Sequence, residues 1–156
     1  MGSVLMVAFV ITLIGVAVSD IKKRVIPGGL ILIIGIIAVM AMVFQDDLSF
    51  TNRLLGFFCI SAPLLMIPLF VPYTSGALGG GDIKLMAVSG FYLGSQLILL
   101  SFLLGVMTAG VYGLWLLLMK KKGRKDHFAL GPFLCAGMMV ALFFGTSILD
   151  GISNRW

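Results

Sequence analysis

LMAVSGFYLGSQLILLSFLLGVMTAGVYGLWLLLM, residues 85–119, carries no charged side chain in 35 positions. A hydrocarbon layer about 30 Å thick is crossed by about 20 apolar helical residues, with a range of about 17–25. The stretch is thus long for one crossing and short for two. Its reading decides the fold.

The runs on either side settle it. Gly2 to Ser19 is an uncharged run of 18 residues that ends at Asp20 and is followed by Lys22, Lys23 and Arg24. A secretory signal carries its positive charges before the apolar run, so this one reads as a retained first span with its N-terminus outside. A second run covers Gly28 to Phe44 and is entered through Pro27, a favoured helix opener. Asp46, Asp47 and Arg53 then form a polar loop, and Leu54 to Pro72 is a third run that Pro63 and Pro68 should kink or break. Tyr73 to Gly81 is a short, turn-rich segment. A single span over 85–119 would place Lys120, Lys121, Lys122, Arg124 and Lys125 outside, against the positive-inside bias. Two spans return them to the cytoplasm. The split falls near Gly94-Ser95-Gln96, giving a short fourth helix and a longer fifth, and the sixth runs from about Phe128 to Ile148. Nine basic residues then lie inside, with only Arg53 and Arg155 outside.

Composition agrees with this reading. The 156 residues are 60% hydrophobic and 11% charged, with a mean hydropathy of +1.16. Soluble domains carry about 25% charged residues, so an ordinary cytosolic enzyme, a disulfide scaffold and a disordered tail are excluded. The +5 net charge belongs to topology, and no nucleic-acid partner is expected. Cys59 and Cys135 lie inside apolar runs without metal or disulfide spacing and read as buried free thiols. With no internal repeat and no long linker, residues 1–156 form one domain. Gly105, Ala109 and Gly113 make a small-residue stripe for close helix packing inside one bundle, while a homo-oligomer interface is the alternative use.

All six acidic residues are Asp, and two stand out. Asp20 closes the first span and Asp82 opens the fourth, so both map to one boundary on one side although 62 residues separate them. Taken singly, Asp20 reads as an interfacial residue beside cations and Asp82 as a helix N-cap after a glycine turn. Together they can serve as paired carboxylates. One takes a proton from water attacking a peptide carbonyl, and the other polarises that carbonyl and protonates the leaving amine. Gly79, Gly80 and Gly81 allow positive φ and remove side-chain bulk, so an extended substrate could approach. Lys84 stands ready for a carboxylate, a lipid phosphate or the positive-inside bias.

Three motifs carry a resemblance. Asp20-Ile-Lys-Lys-Arg-Val-Ile-Pro27-Gly-Gly-Leu30, Gly79-Gly80-Gly81-Asp82-Ile83-Lys84-Leu85, and Ala129-Leu130-Gly131-Pro132-Phe133-Leu134 with Gly137 occur in order along the chain. In these the chain resembles the type IV prepilin peptidases, membrane aspartic proteases of the GxGD group. The resemblance implies Asp20 and Asp82 as the catalytic pair, and cleavage of a short basic leader from prepilins or pseudopilins at the cytoplasmic face of the inner membrane. Larger members of that family carry an additional N-terminal region, often with a four-cysteine metal site, and methylate the new N-terminus. This chain is similar in size to the minimal peptidases of Flp/Tad systems, so neither methyltransferase activity, nor a metal, nor another cofactor is expected.

His127 and Asp126 read as interfacial residues, and the 120–125 cluster as a topology determinant that meets lipid headgroups. Gly131 and Pro132 open the last helix and are candidates for shaping the substrate groove. Asp46, Asp47 and Asp150 read as solvated loop charges on the other side. The expectation is an all-α bundle of six transmembrane helices with both termini outside, acting as an aspartic endopeptidase. A small transporter or channel subunit and a non-catalytic pilus assembly factor are the rivals from other classes, with a preflagellin-type peptidase the nearest alternative within the enzymes.

Overall fold

The computed structural model describes residues 2–23, 25–44, 48–70, 79–119 and 130–153. Six helices follow one another: α1 (Gly2–Lys23), α2 (Gly28–Phe44), α3 (Phe50–Phe70), α4 (Gly80–Leu93), α5 (Ser95–Leu118) and α6 (Gly131–Ser153). Around the bundle α1 packs between α2 and α6, α6 packs on α5, and α5 packs on α3. The short α4 fills the middle, touching α2, α3 and α5, and its Tyr92 stacks on Phe9 of α1 with ring centroids 4.3 Å apart. It is buried on almost every side, from Asp82 and Ile83 through Leu85, Met86 and Ser89 to Leu93. Apart from Asp82, Lys84 and Ser89 it is apolar on all faces, as a helix inside a protein core is.

The outward faces are as apolar as the core. Leu32, Ile36, Val39 and Val43 on α2, and Leu103, Met107, Val111 and Leu114 on α5, are all exposed. In water a patch of this size is a liability. Against hydrocarbon it costs nothing, which is consistent with a membrane protein. By length and composition α1 and residues Ser95–Trp115 of α5 are long and apolar enough to cross a bilayer, while Gly28–Phe44, Phe50–Met66 and Gly131–Gly145 are shorter apolar helices.

The uncharged 85–119 stretch does break, and at the expected place. Gly94 adopts φ 80°, the left-handed region that favours glycine, and its N–H donates to the Gly90 carbonyl at 2.8 Å to close α4. Asn52 of α3 then caps the next helix from a distance. Its Oδ1 accepts from the Ser95 N–H at 3.1 Å and from the Ser95 Oγ at 2.5 Å. Ser95 opens α5, where the first N–H groups have no partner within their own helix.

Four expectations are corrected. First, α1 does not stop at Ser19 but continues through Asp20 to Lys23, because Lys22 and Lys23 in its last turn complement the helix dipole. Second, α3 begins at Phe50 and is not broken at Pro63 or Pro68; Pro63 takes an exposed position on the helix. Third, Arg53 is no loop charge. It is 2% exposed, and its guanidinium donates to the Ala41 carbonyl near the end of α2 at 3.4 Å, where a cation is electrostatically favoured. Fourth, Asp150 lies within α6, not in a loop. Asp46, Asp47, Tyr73 to Leu78, the 120–125 cluster, Asp126, His127, Phe128 and Arg155 lie outside the described residues.

Two glycine contacts set the spacing of the bundle. A Cβ on Gly90 would run into the Gly56 carbonyl oxygen, and one on Gly56 into the Gly90 carbonyl, so α3 and α4 meet backbone to backbone. On the other side Gly105 of α5 faces α6, with Leu134 Cα 3.1 Å from where its Cβ would stand, and Gly137 answers it from α6. The small-residue stripe is thus used within the bundle at Gly105. Backbone cannot yield as a flexible side chain can. Gly90→Ala should therefore destabilise the fold by about 3 kcal/mol, the upper end of the usual overpacking range. Thermal unfolding in detergent followed by circular dichroism measures this, and an unchanged midpoint would contradict the α3–α4 contact.

Candidate active site

Asp20 lies on the inner face of α1, in register with Phe9, Leu13 and Val16, and is 6% exposed. A buried carboxylate is costly unless hydrogen-bonded. Its partner comes from the far end of the chain. The Gly131 N–H donates to Asp20 Oδ2 at 3.0 Å across 111 residues of sequence. Gly131 is the first residue of α6, and the Leu130 carbonyl before it accepts from Phe133 and Leu134 N–H at 3.1 and 3.2 Å. Asp20 therefore holds a free N–H at the positive end of α6.

Asp82 also lies at a helix start, in the first turn of its own helix α4. Gly79 is the N-cap, in extended conformation with φ −68° and ψ 132°, and Asp82 is the third helical residue, not the cap itself. Its N–H donates to the Gly79 carbonyl at 2.9 Å, and the Gly79 N–H donates back to its carboxylate. This is the acidic half of a capping box. Asp82 is 8% exposed and lies within electrostatic reach of Asp20. The end of α1 and the start of α4 thus bring the two carboxylates within electrostatic reach of each other.

Each glycine has a separate part, and none of the three before Asp82 has positive φ; among the described residues only Gly94 does. Gly81 is needed for packing. A Cβ there would stand 3.0 Å from Ile26 Cβ, so its absence lets the α1–α2 connection close against the start of α4. Gly79 and Gly80 are exposed, and nothing lies within 4 Å of a Cβ at Gly80. Among the described residues that side of the site is open, as an approaching extended chain requires. Gly131 is buried and Pro132 half-buried in the first turn of α6. Lys84 is exposed on α4.

Cys135 was not among the sequence candidates for the site. It is fully buried, one turn along α6 from Gly131, and its thiol lies within electrostatic reach of both Asp20 and Asp82. The i, i+4 spacing from Gly131 was the signal that placed it on the same helix face. Among the described residues no group of three or more His, Cys, Asp and Glu is placed to hold a metal ion.

The model of the type IV leader peptidase family matches residues 7–114, which include both carboxylates. The chain is 33% identical over 145 residues to a prepilin leader peptidase/N-methyltransferase of Bacillus subtilis, covering 92% of this chain and 57% of the relative. It is 32% identical over 152 residues to the protein of that name in Legionella pneumophila, covering 92% of this chain and 51% of the relative. The chain thus spans about half the length of these curated relatives. No solved structure matches it.

The geometry sets apart the two thiols. Cys135 is sealed between helices, whereas Cys59 on α3 is half-buried. Alkylation by iodoacetamide in detergent should modify Cys59 about tenfold faster or more, since thiol reactivity requires access. Peptide mass spectrometry over a time course reads both rates, and equal rates would contradict the burial of Cys135.

Proposed function

The chain belongs to the type IV leader peptidase family, and on that premise we propose that it is an aspartic endopeptidase whose catalytic pair is Asp20 and Asp82. The observation that carries this reading is the convergence of two buried carboxylates from α1 and α4, each held by a backbone N–H at a helix start. Two such groups in one site divide the work of peptide hydrolysis. One carboxylate accepts a proton from the attacking water, and the other, protonated, polarises the scissile carbonyl and then protonates the departing amine. Which Asp plays which part is a property of the coupled pair. The exposed backbone at Gly79 and Gly80 gives the substrate room to reach them.

The substrate is a prepilin or pseudopilin precursor with a basic leader, and the leader is removed at the cytoplasmic face. All six helices cross the inner membrane, with both termini outside and residues 1–156 acting as one peptidase domain in contact with lipid. The distribution of Lys22, Lys23, Arg24, Lys84 and the 120–125 cluster supports that orientation. At about 1.5 Å rise per residue, the 14 residues of α4 extend about 21 Å, less than the hydrocarbon thickness of about 30 Å. Because α4 is that short, Asp82 sits slightly inside the boundary, and the scissile bond enters between helix ends to reach it. Gly79, Gly80, Gly81 and Pro132 shape that entrance, and Lys84 meets lipid phosphate beside it.

Purified protein incubated with a prepilin, without added metal, should release the leader. Asp20→Asn and Asp82→Asn should each lower kcat about a thousandfold or more, as removal of a catalytic residue does. Normal cleavage by either variant would sink the assignment. Orientation is tested separately. A single cysteine placed at Lys22 should react with a membrane-impermeant maleimide only from the cytoplasmic side, and one at Ser49 only from the outside; the reverse pattern would overturn the topology.

A further inference from the structure

Gly131 does more than start a helix. Its N–H is the donor that holds Asp20 Oδ2 at 3.0 Å in a buried setting. The space where its Cβ would be is taken by that same carboxylate. A Cβ at this position would stand 2.5 Å from Asp20 Oδ2, 3.0 Å from Cγ and 3.3 Å from Cβ. Contacts below 3 Å to a side chain packed in the core force something to move. Here the atoms in the way are those of Asp20, which has little freedom because α1 is fixed by Phe9, Leu13 and Val16 on the same face. The glycines at the helix crossings face backbone or apolar groups: Gly56 and Gly90 meet each other, and Gly105 meets Leu134 and Phe133; at the start of α4, a Cβ on Gly79 would stand 3.3 Å from Asp82 Oδ2, a looser contact than the one at Gly131. Gly131 faces the carboxylate itself.

We propose that Gly131 is a positioning residue for the reaction, setting the place and orientation of the Asp20 carboxylate through its N–H and through its missing side chain, rather than contacting substrate. This rests on the reading of Asp20 and Asp82 as the catalytic pair. It separates two roles that the motif alone leaves merged. A groove-lining glycine governs how tightly substrate binds, whereas a positioning glycine governs turnover once substrate is bound. Any side chain at 131 pushes Asp20 from its partner, and a displacement of about 1 Å near a reacting group costs on the order of 100-fold in rate.

The test uses full-length protein in detergent with a prepilin substrate, comparing wild type, Gly131→Ala, Gly105→Ala and Asp20→Asn. Gly131→Ala should lower kcat by about 100-fold with KM within about threefold of wild type. Gly105→Ala, which crowds α6 from the α5 side without touching a carboxylate, should lower the melting temperature while folded protein keeps its kcat. Wild-type kcat in Gly131→Ala, or a rise in KM alone, would overturn the positioning role while leaving the catalytic pair intact. Full activity of Asp20→Asn would instead remove the reading beneath it. A second measurement stands even if Gly131→Ala fails to fold. Amide exchange at Gly131 should speed up by about tenfold or more in Asp20→Ala, the loss expected for a hydrogen bond to a charged group, with exchange at Cys135 unchanged. Equal exchange at Gly131 in both proteins would contradict the contact.

Discussion

The arrangement turns on a buried carboxylate that has to be satisfied. Asp20 lies on the core face of α1, where an unpaired charge would be expensive. Its hydrogen bond comes from the first N–H of α6, 111 residues away. A helix start offers unsatisfied donors and a partial positive charge within its first turn only. Asp20 therefore fixes more than an orientation. It requires α6 to begin at the level where α1 is ending, and so brings the first and last helices of the described bundle into register.

The same device recurs on α4, where the Gly79 N–H holds Asp82. Because α4 is central and touches α2, α3 and α5, its start can only lie where its neighbours allow. The Gly56–Gly90 backbone contact fixes how close it comes to α3, and Gly81 against Ile26 fixes how close it comes to the α1–α2 connection. At the other end Gly94 and the Asn52 cap determine where it stops. Catalytic chemistry of the proposed kind needs two carboxylates held without freedom to drift. Packing among the described residues supplies that, and it leaves the Gly79–Gly80 backbone exposed.

Much of this was legible in the sequence because charge is so scarce. In a chain with six acidic residues, all Asp, each apolar run and each break stands out. The ends of α2 match the uncharged run residue for residue, and the Gly94 break followed from charge bookkeeping on either side of it. What stayed hidden depends on contacts between distant segments. Arg53 looked like a loop charge because nothing local announces that it reaches back to Ala41. Asn52 gave no sign that it caps a helix opening 43 residues later. The glycines before Asp82 suggested positive φ, yet one is an extended N-cap and one makes room for Ile26. Spacing could place Asp20 and Asp82 at one boundary. It could not show that backbone donors hold both.

The central claim is that Asp20 and Asp82 act as one catalytic unit, and a double-mutant cycle on prepilin cleavage tests it most directly. kcat/KM would be measured for wild type, Asp20→Asn, Asp82→Asn and the double variant under one set of conditions. Residues that act as a unit are strongly non-additive, so the double variant should be no slower than the slower single variant. Losses that multiply, with the double variant falling by the product of the two single effects, would show two independent groups and contradict the account.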